Sequence, residues 1–196
     1  MILNQMSEQP LMIEGEGVIL RDYQPEDEDL ILYWFTHGEW RQFDAPWEGV
    51  VDSFTPEKEE AFRARFRENI QKPRETPRKK FIICLADSTP IGWVNRYGSD
   101  RFPGVFYLGI DICEDEYLGK GLGFAALQTW ISYLFHNSDA HKVELHTWSL
   151  NPRMIRVAEK LGFHHEGTER ELIKWQGEWL DRVRFGLLRQ EWLDQS

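Results

Sequence analysis

Apolar and polar positions change places along this chain with two different periods. Phe81 to Ala86, Ile91 to Tyr97, Phe106 to Ile112 and Lys142 to Ser149 are short runs rich in β-branched and aromatic residues, which predicts strands. Met12 to Tyr23 alternates too, with Val18, Leu20 and Asp22 two apart, and predicts one further strand at the start. Helical spacing takes over after Pro25, where Leu30, Ile31, Trp34 and Phe35 form one apolar face and Glu26, Asp27, Glu28 and Asp29 fall where the helix dipole favours anions. Thr55 and Pro56 open a second helix, with Phe62, Phe66 and Ile70 inward and Arg63, Arg65 and Arg67 outward as a solvated face. A third carries Gly123, Leu127, Trp130, Ile131, Leu134 and Phe135 on one side. Asn151 and Pro152 read as cap and first residue of a fourth, which Gly162 ends. Phe163 to Lys174 and Trp179 to Leu188 close the chain as a hairpin through Gln176-Gly177-Glu178. The predicted order is β-α-α-β-β-β-α-β-α-β-β. No repeat or linker divides it, so residues 11–196 read as one domain behind a loose extension, residues 1–10.

The chemistry concentrates where the central strand meets the third helix. Between them runs Leu118-Gly119-Lys120-Gly121-Leu122-Gly123, with a glycine at every second position. Strand, glycine loop and helix in that order build an anion cradle. Backbone N–H groups at a helix start point outward, and glycines let a phosphate come close to the backbone. The loop is not the dinucleotide fingerprint, because Ala126 stands where a third glycine is needed. Nor does it carry the Gly-Lys-Ser/Thr of nucleoside-triphosphate loops.

Gly121-Leu122-Gly123 resembles instead the end of the Gln/Arg-x-x-Gly-x-Gly/Ala loop of the GCN5-related N-acetyltransferases, with Leu118 in place of the usual Gln or Arg. Downstream, KVELHTWSLNPRMIRVAEKLGF, residues 142–163, resembles the same family's second signature, closest to the branch of the ribosomal-protein alanine and serine N-acetyltransferases. The resemblance implies an α/β fold with about seven mixed strands, splayed between the fourth and fifth, and about four flanking helices. It implies acetyl-coenzyme A as co-substrate, with no metal. Pantetheine would lie against Gly109, Ile110 and Ile112, and the diphosphate against Leu118, Gly119, Gly121, Leu122, Gly123 and Phe124, with Lys120 and Arg156 as candidate cationic contacts. Asn151 would cap its helix and also bond the pantetheine arm.

The implied reaction moves an acetyl group to a primary amine, which needs a base. His146 falls where alanine N-acetyltransferases carry a glutamate, and a free imidazole accepts a proton near pH ~6.5. Glu144, two residues earlier on the same strand face, and Asp111 are the alternatives. The tyrosine that protonates the leaving thiolate in many relatives is replaced by Ala158, leaving Ser149 as the nearest candidate donor. The acceptor would lie under residues 37–54, where Trp40, Phe43, Asp44, Trp47 and Glu48 offer an aromatic, acidic pocket for a cation.

Charge sharpens that reading. The net charge is −10, which argues against a nucleic-acid partner, and residues 1–60 carry −12 while the rest carries +2. No run reaches the 18 apolar residues of a membrane span, and Cys84 and Cys113 have no pairing or metal spacing, so a cytoplasmic protein with reduced thiols is expected. The acceptor is a small cationic metabolite or a protein N-terminus, and a homodimer is compatible with the resemblance. A non-catalytic acyl-coenzyme A sensor of the same fold is the alternative function.

Overall fold

The computed structural model describes residues 10–48, 55–98 and 102–195, so all but the last residue of the expected extension 1–10 lies outside it. Eight strands form one sheet in the order β1-β2-β3-β4-β5-β6-β8-β7. They are β1 (Met12–Glu14), β2 (Val18–Arg21), β3 (Lys80–Leu85), β4 (Pro90–Gly98), β5 (Val105–Ile112), β6 (Lys142–Trp148), β7 (His164–Trp175) and β8 (Glu178–Leu188). The helices are α1 (Asp27–Thr36), α2 (Pro56–Gln71), α3 (Leu122–His136), α4 (Pro152–Lys160) and α5 (Arg189–Asp194). Short 3-10 turns at Glu39–Gln42, Pro46–Glu48 and Asp115–Tyr117 shape the connections.

Two expectations change. The stretch 12–23 is not one strand but two antiparallel ones, in register Ile13 to Leu20, because Gly15-Glu16-Gly17 turns the chain. Gly17 takes φ 73° there, and the Gly15 N–H donates to the Val18 carbonyl at 2.8 Å. Among the described residues the sheet therefore has eight strands rather than about seven, and the short α5 adds a fifth helix. Arg65 and Arg67 are exposed as expected of a solvated face, but Arg63 is half-buried, and both Arg63 and Arg67 have partners. They cross to α1, where Arg63 meets Glu28 at 2.8 Å and Asp29 at 2.6 Å, and Arg67 meets Glu28 at 2.7 Å. A carboxylate as buried as Glu28 requires such partners.

Alternation along β3 sends Phe81 and Ile83 to one apolar layer and Ile82 and Cys84 to the other. The first layer holds α3 through Leu127, Trp130, Ile131 and Leu134, all fully buried. The second holds α1 and α2 through Ile31, Trp34 and Phe66, together with Trp40 and Trp93. Trp34 also donates its indole N–H to Glu114 at 2.6 Å, which ties α1 to the connection leading into α3.

Candidate active site

The sheet opens in one place. β5 and β6 are the parallel pair, and their pairing runs from Val105–Lys142 only to Leu108–Leu145. Beyond it, Gly109–Ile112 and His146–Trp148 diverge. The Cys113 N–H turns to the Ile91 carbonyl of β4 at 2.8 Å, so alternation sends the N–H groups of Ile112 and Ile110 the other way, into the opening. These are the segments predicted to flank the splay, now the fifth and sixth strands because the first one divides.

A cavity of about 520 Å³ extends from that opening past the glycine loop. Ile110 and Ile112 line it, followed by Leu118, Gly119, Gly121, Leu122, Gly123 and Phe124, with Asn151 and Arg156 opposite. Gly119 and Gly121 have φ of 73° and 85°, a conformation that favours glycine, and a Cβ at either would meet no atom within 4 Å. No side chain caps α3, so the first N–H groups of the helix face the cavity. Asn151 does cap α4, its Oδ1 accepting from the Met154 N–H at 3.1 Å. Two expected contacts fall elsewhere. Gly109 lines the neighbouring cavity, and Lys120 lines neither, its ammonium lying 5.3 Å from the centroid of the Tyr117 ring. Arg153 and Lys160 line the cavity with Arg156, placing three cations opposite the loop.

The second cavity, about 430 Å³, lies against α1 and α2 and under residues 40–44, while residues 49–54 of the expected acceptor segment fall outside the described residues. Of the residues named for the acceptor site and the base, Trp40, Phe43, Asp44, Asp111 and His146 line it. Trp47 and Glu48 do not. Trp47 packs edge-on against Trp148 at 4.6 Å and sits 5.9 Å from Trp175, which pins the connection to β6 and β7. Glu144 and Ser149 also lie outside both cavities. Glu144 binds Lys142 at 2.7 Å and stands 3.4 Å from His146 Nε2; burial alone would push its carboxyl up, but these two partners hold it below the usual range. Ser149 accepts from the Asp181 N–H at 3.1 Å. Burial pushes Asp111 well above the usual carboxylate range, and the charge of Asp44 adds to this against an opposing Trp93 hydrogen bond. Asp44 is raised by burial and by Glu48.

The two cavities meet. Trp40, Phe43, Ile110, Asp111, Asn151 and Met154 line both. Over this junction Arg153 lies 4.7 Å from the Phe43 ring centroid and pairs with Glu39 at 2.7 Å, joining α4 to the connection above.

Residues 18–164 match the acetyltransferase (GNAT) domain family. The chain belongs to that family. As a GNAT enzyme it is an acetyl-CoA-dependent N-acetyltransferase. It is similar to an uncharacterized N-acetyltransferase, YokL, of Bacillus subtilis, with 27% identity over 90% of this chain and 93% of that one. The likeness to the ribosomal-protein branch also holds. The uS5-alanine N-acetyltransferase of Escherichia coli is 31% identical over 44% of each chain. In fold the chain resembles the spermidine N-acetyltransferase of Vibrio cholerae solved with CoA and spermine, at TM-score 0.71 and 22% identity over 90% of this chain and 98% of that one.

The residues present fit the acyl carrier of GNAT enzymes. An uncapped helix start, two positive-φ glycines open to the cavity and three facing cations suit a diphosphate, and the unpaired edge of β5 suits an amide-bearing arm. Ala158, at the position of the family's usual acid, is fully buried and lines neither cavity. Among the described residues no helix is long and apolar enough to cross a membrane, and Cys84 and Cys113 are buried free thiols. Sequence pattern did not single out Trp93, Asn95 or Lys80 as cavity residues, because each sits in an ordinary strand run and gains its place only from the neighbouring strands.

Proposed function

We infer that the enzyme, a single cytoplasmic domain of residues 11–196, acetylates the primary amine of a small cationic metabolite or a protein N-terminus. The observation that carries this reading is the junction: six residues line both cavities, and Asp111 is the titratable one among them. Acetyl-CoA, when bound, supplies the acyl group as a thioester. The α3 N-terminus with Gly119 and Gly121, and Arg153, Arg156 and Lys160 across from it, hold the diphosphate. Asn151 and the Ile110 and Ile112 amides orient the arm, and an inward amide of β5 donates to the thioester oxygen as charge gathers there.

Asp44 and Asp111 draw the acceptor in as an ammonium among aromatic rings. Asp111, whose raised carboxyl favours proton uptake, accepts the ammonium proton and frees the nitrogen lone pair for attack on the carbonyl carbon. The C–S bond breaks and the sulfur leaves as a thiolate, which a thiol pKa near ~8.5 permits without Ala158's missing acid. The second proton of the attacking nitrogen passes to that thiolate, leaving amide and thiol. His146 supports a second reading as base, because it lines the acceptor cavity with Nε2 3.4 Å from Glu144. Incubation with acetyl-CoA and a panel of amines tests the proposal: acetylated amine is the expected product. Binding of acetyl-CoA without product from any amine would favour an acyl-CoA sensor.

A further inference from the structure

The acceptor cavity has two unlike ends. Asp44 and Asp111 stand at the junction, while Tyr23, Phe62, Phe66 and Lys80 line the other side. The Lys80 ammonium lies 4.1 Å from the centroid of the Tyr23 ring. Among the described residues it has no carboxylate partner, and the nearby charge is that of Arg65, another cation. Among the described residues Arg65 likewise has no ion pair, whereas Arg63 and Arg67 on the same helix are tied to Glu28. Lys80 is exposed where its strand begins, at the rim of the cavity, and desolvation by the surrounding protein together with the Arg65 charge pushes its ammonium down.

Register fixes the distance between the ends. Lys80, Asn95 and Gly109 are partners across β3, β4 and β5, and Asp111 is two residues beyond Gly109 on the same face. Two strand spacings of ~4.8 Å and two residues of ~3.4 Å put the Lys80 and Asp111 Cα atoms about 12 Å apart. Asn95 lies between them, its carboxamide free of protein partners among the described residues and close enough to Gly109 that a Cβ there would come within 2.5 Å of Oδ1.

We propose that Lys80 is a specificity-determining residue that binds an anionic group at the far end of the acceptor, so that this enzyme prefers an amine joined to a carboxylate or comparable anion over a diamine. The proposal rests on the amine-acetylation reading above and departs from it in one respect: the acceptor it favours is zwitterionic rather than purely cationic. An ammonium suits the acid end, but a second ammonium at the far end would meet an unpaired lysine with an arginine beside it. A carboxylate there gains a charge-assisted hydrogen bond that neither a methyl group nor an amine can offer. The Asn95 carboxamide supplies a polar stop along the way.

Three acceptors of equal chain length test this: ε-aminocaproate, hexylamine and hexamethylenediamine. With the wild-type enzyme, kcat/KM should be highest for ε-aminocaproate and at least about tenfold lower for the diamine, a difference of ~1.4 kcal/mol. Lys80→Met should bring ε-aminocaproate down to the level of hexylamine, and Lys80→Glu should reverse the order of acid and diamine. The KM for acetyl-CoA should stay unchanged in both variants. A wild-type preference for the diamine, or an order that Lys80→Glu leaves intact, overturns the proposal. Calorimetric binding of the same three compounds reads Lys80 independently of turnover. If no amine is acetylated while ε-aminocaproate binds tightest and only through Lys80, the acetyl-transfer reading fails and the Lys80 subsite stands. Equal binding of all three removes the subsite.

Discussion

Gly121 offers a perturbation whose effects on stability and on binding should run in opposite directions. It caps α3 at φ 85° with no atom within 4 Å of a built Cβ, so a side chain enters the cavity rather than the core. Asn and Asp both tolerate this left-handed conformation and are comparable caps, so Gly121→Asn and Gly121→Asp differ chiefly by one charge. At a helix N-terminus that charge stabilises by about 0.3–1 kcal/mol. The same charge would sit within roughly 5 Å of the diphosphate. Coulomb's law then gives a repulsion of about 1 kcal/mol in bulk water and about 3 kcal/mol at an effective dielectric of ~20. Relative to Gly121→Asn, Gly121→Asp should therefore melt higher yet bind acetyl-CoA roughly fivefold to a hundredfold more weakly, as read by calorimetry on both variants. The gap should narrow as salt is raised. Affinities equal within about twofold would show that no phosphate group rests on this helix start.

Other consequences follow from the same geometry. The Asp111 carboxyl is raised in the folded protein, so its ionisation opposes folding, with the loss setting in as pH climbs through the unfolded value near ~3.9 and complete above the folded one. Asp111→Asn should accordingly raise the melting temperature at neutral pH and lose that advantage near pH ~3; a variant less stable at neutral pH would contradict the buried-charge argument. Gly109→Ala should push the Asn95 carboxamide aside and raise the acceptor KM while leaving that of acetyl-CoA alone, as steady-state kinetics would show. Glu28→Gln should leave Arg63 and Arg67 without their shared partner and lower the melting temperature, with a difference that shrinks in high salt.

What the sequence disclosed was mostly local. Gly119 and Gly121 need positive φ, Asn151 caps its own helix, and Gly162 ends that helix at φ 82°; each follows from chemistry within a few residues. Gln176 and Gly177, both at positive φ, likewise close the hairpin that their composition predicts. The turn at Gly15 to Gly17 was equally local, but the alternation on either side of it reads as one continuous strand. Long-range partners left less trace. Arg63 and Arg67 occupy the outer face of α2 by spacing, and only the approach of α1 supplies Glu28 as their partner. Trp47 reads as a pocket wall until Trp148 and Trp175 come together beneath it. Lys80 is the last residue of a basic stretch in sequence and lines the cavity beside α1 and α2 in the fold. Register across three strands puts it there, and no periodicity within one segment carries that information.

The account stands on acetyl transfer across the junction at Asp111, and an isotope-labelled acetyl group follows that step directly. Mass spectrometry of the acceptor after a single turnover with labelled acetyl-CoA should find the label on the amine nitrogen. Asp111→Asn should slow its arrival by about 10²–10⁴-fold while acetyl-CoA affinity is kept. If acetyl-CoA binds at the glycine loop but the label stays on the thiol or passes only to water, or if Asp111→Asn transfers it at the wild-type rate, the junction is not where the acetyl group crosses.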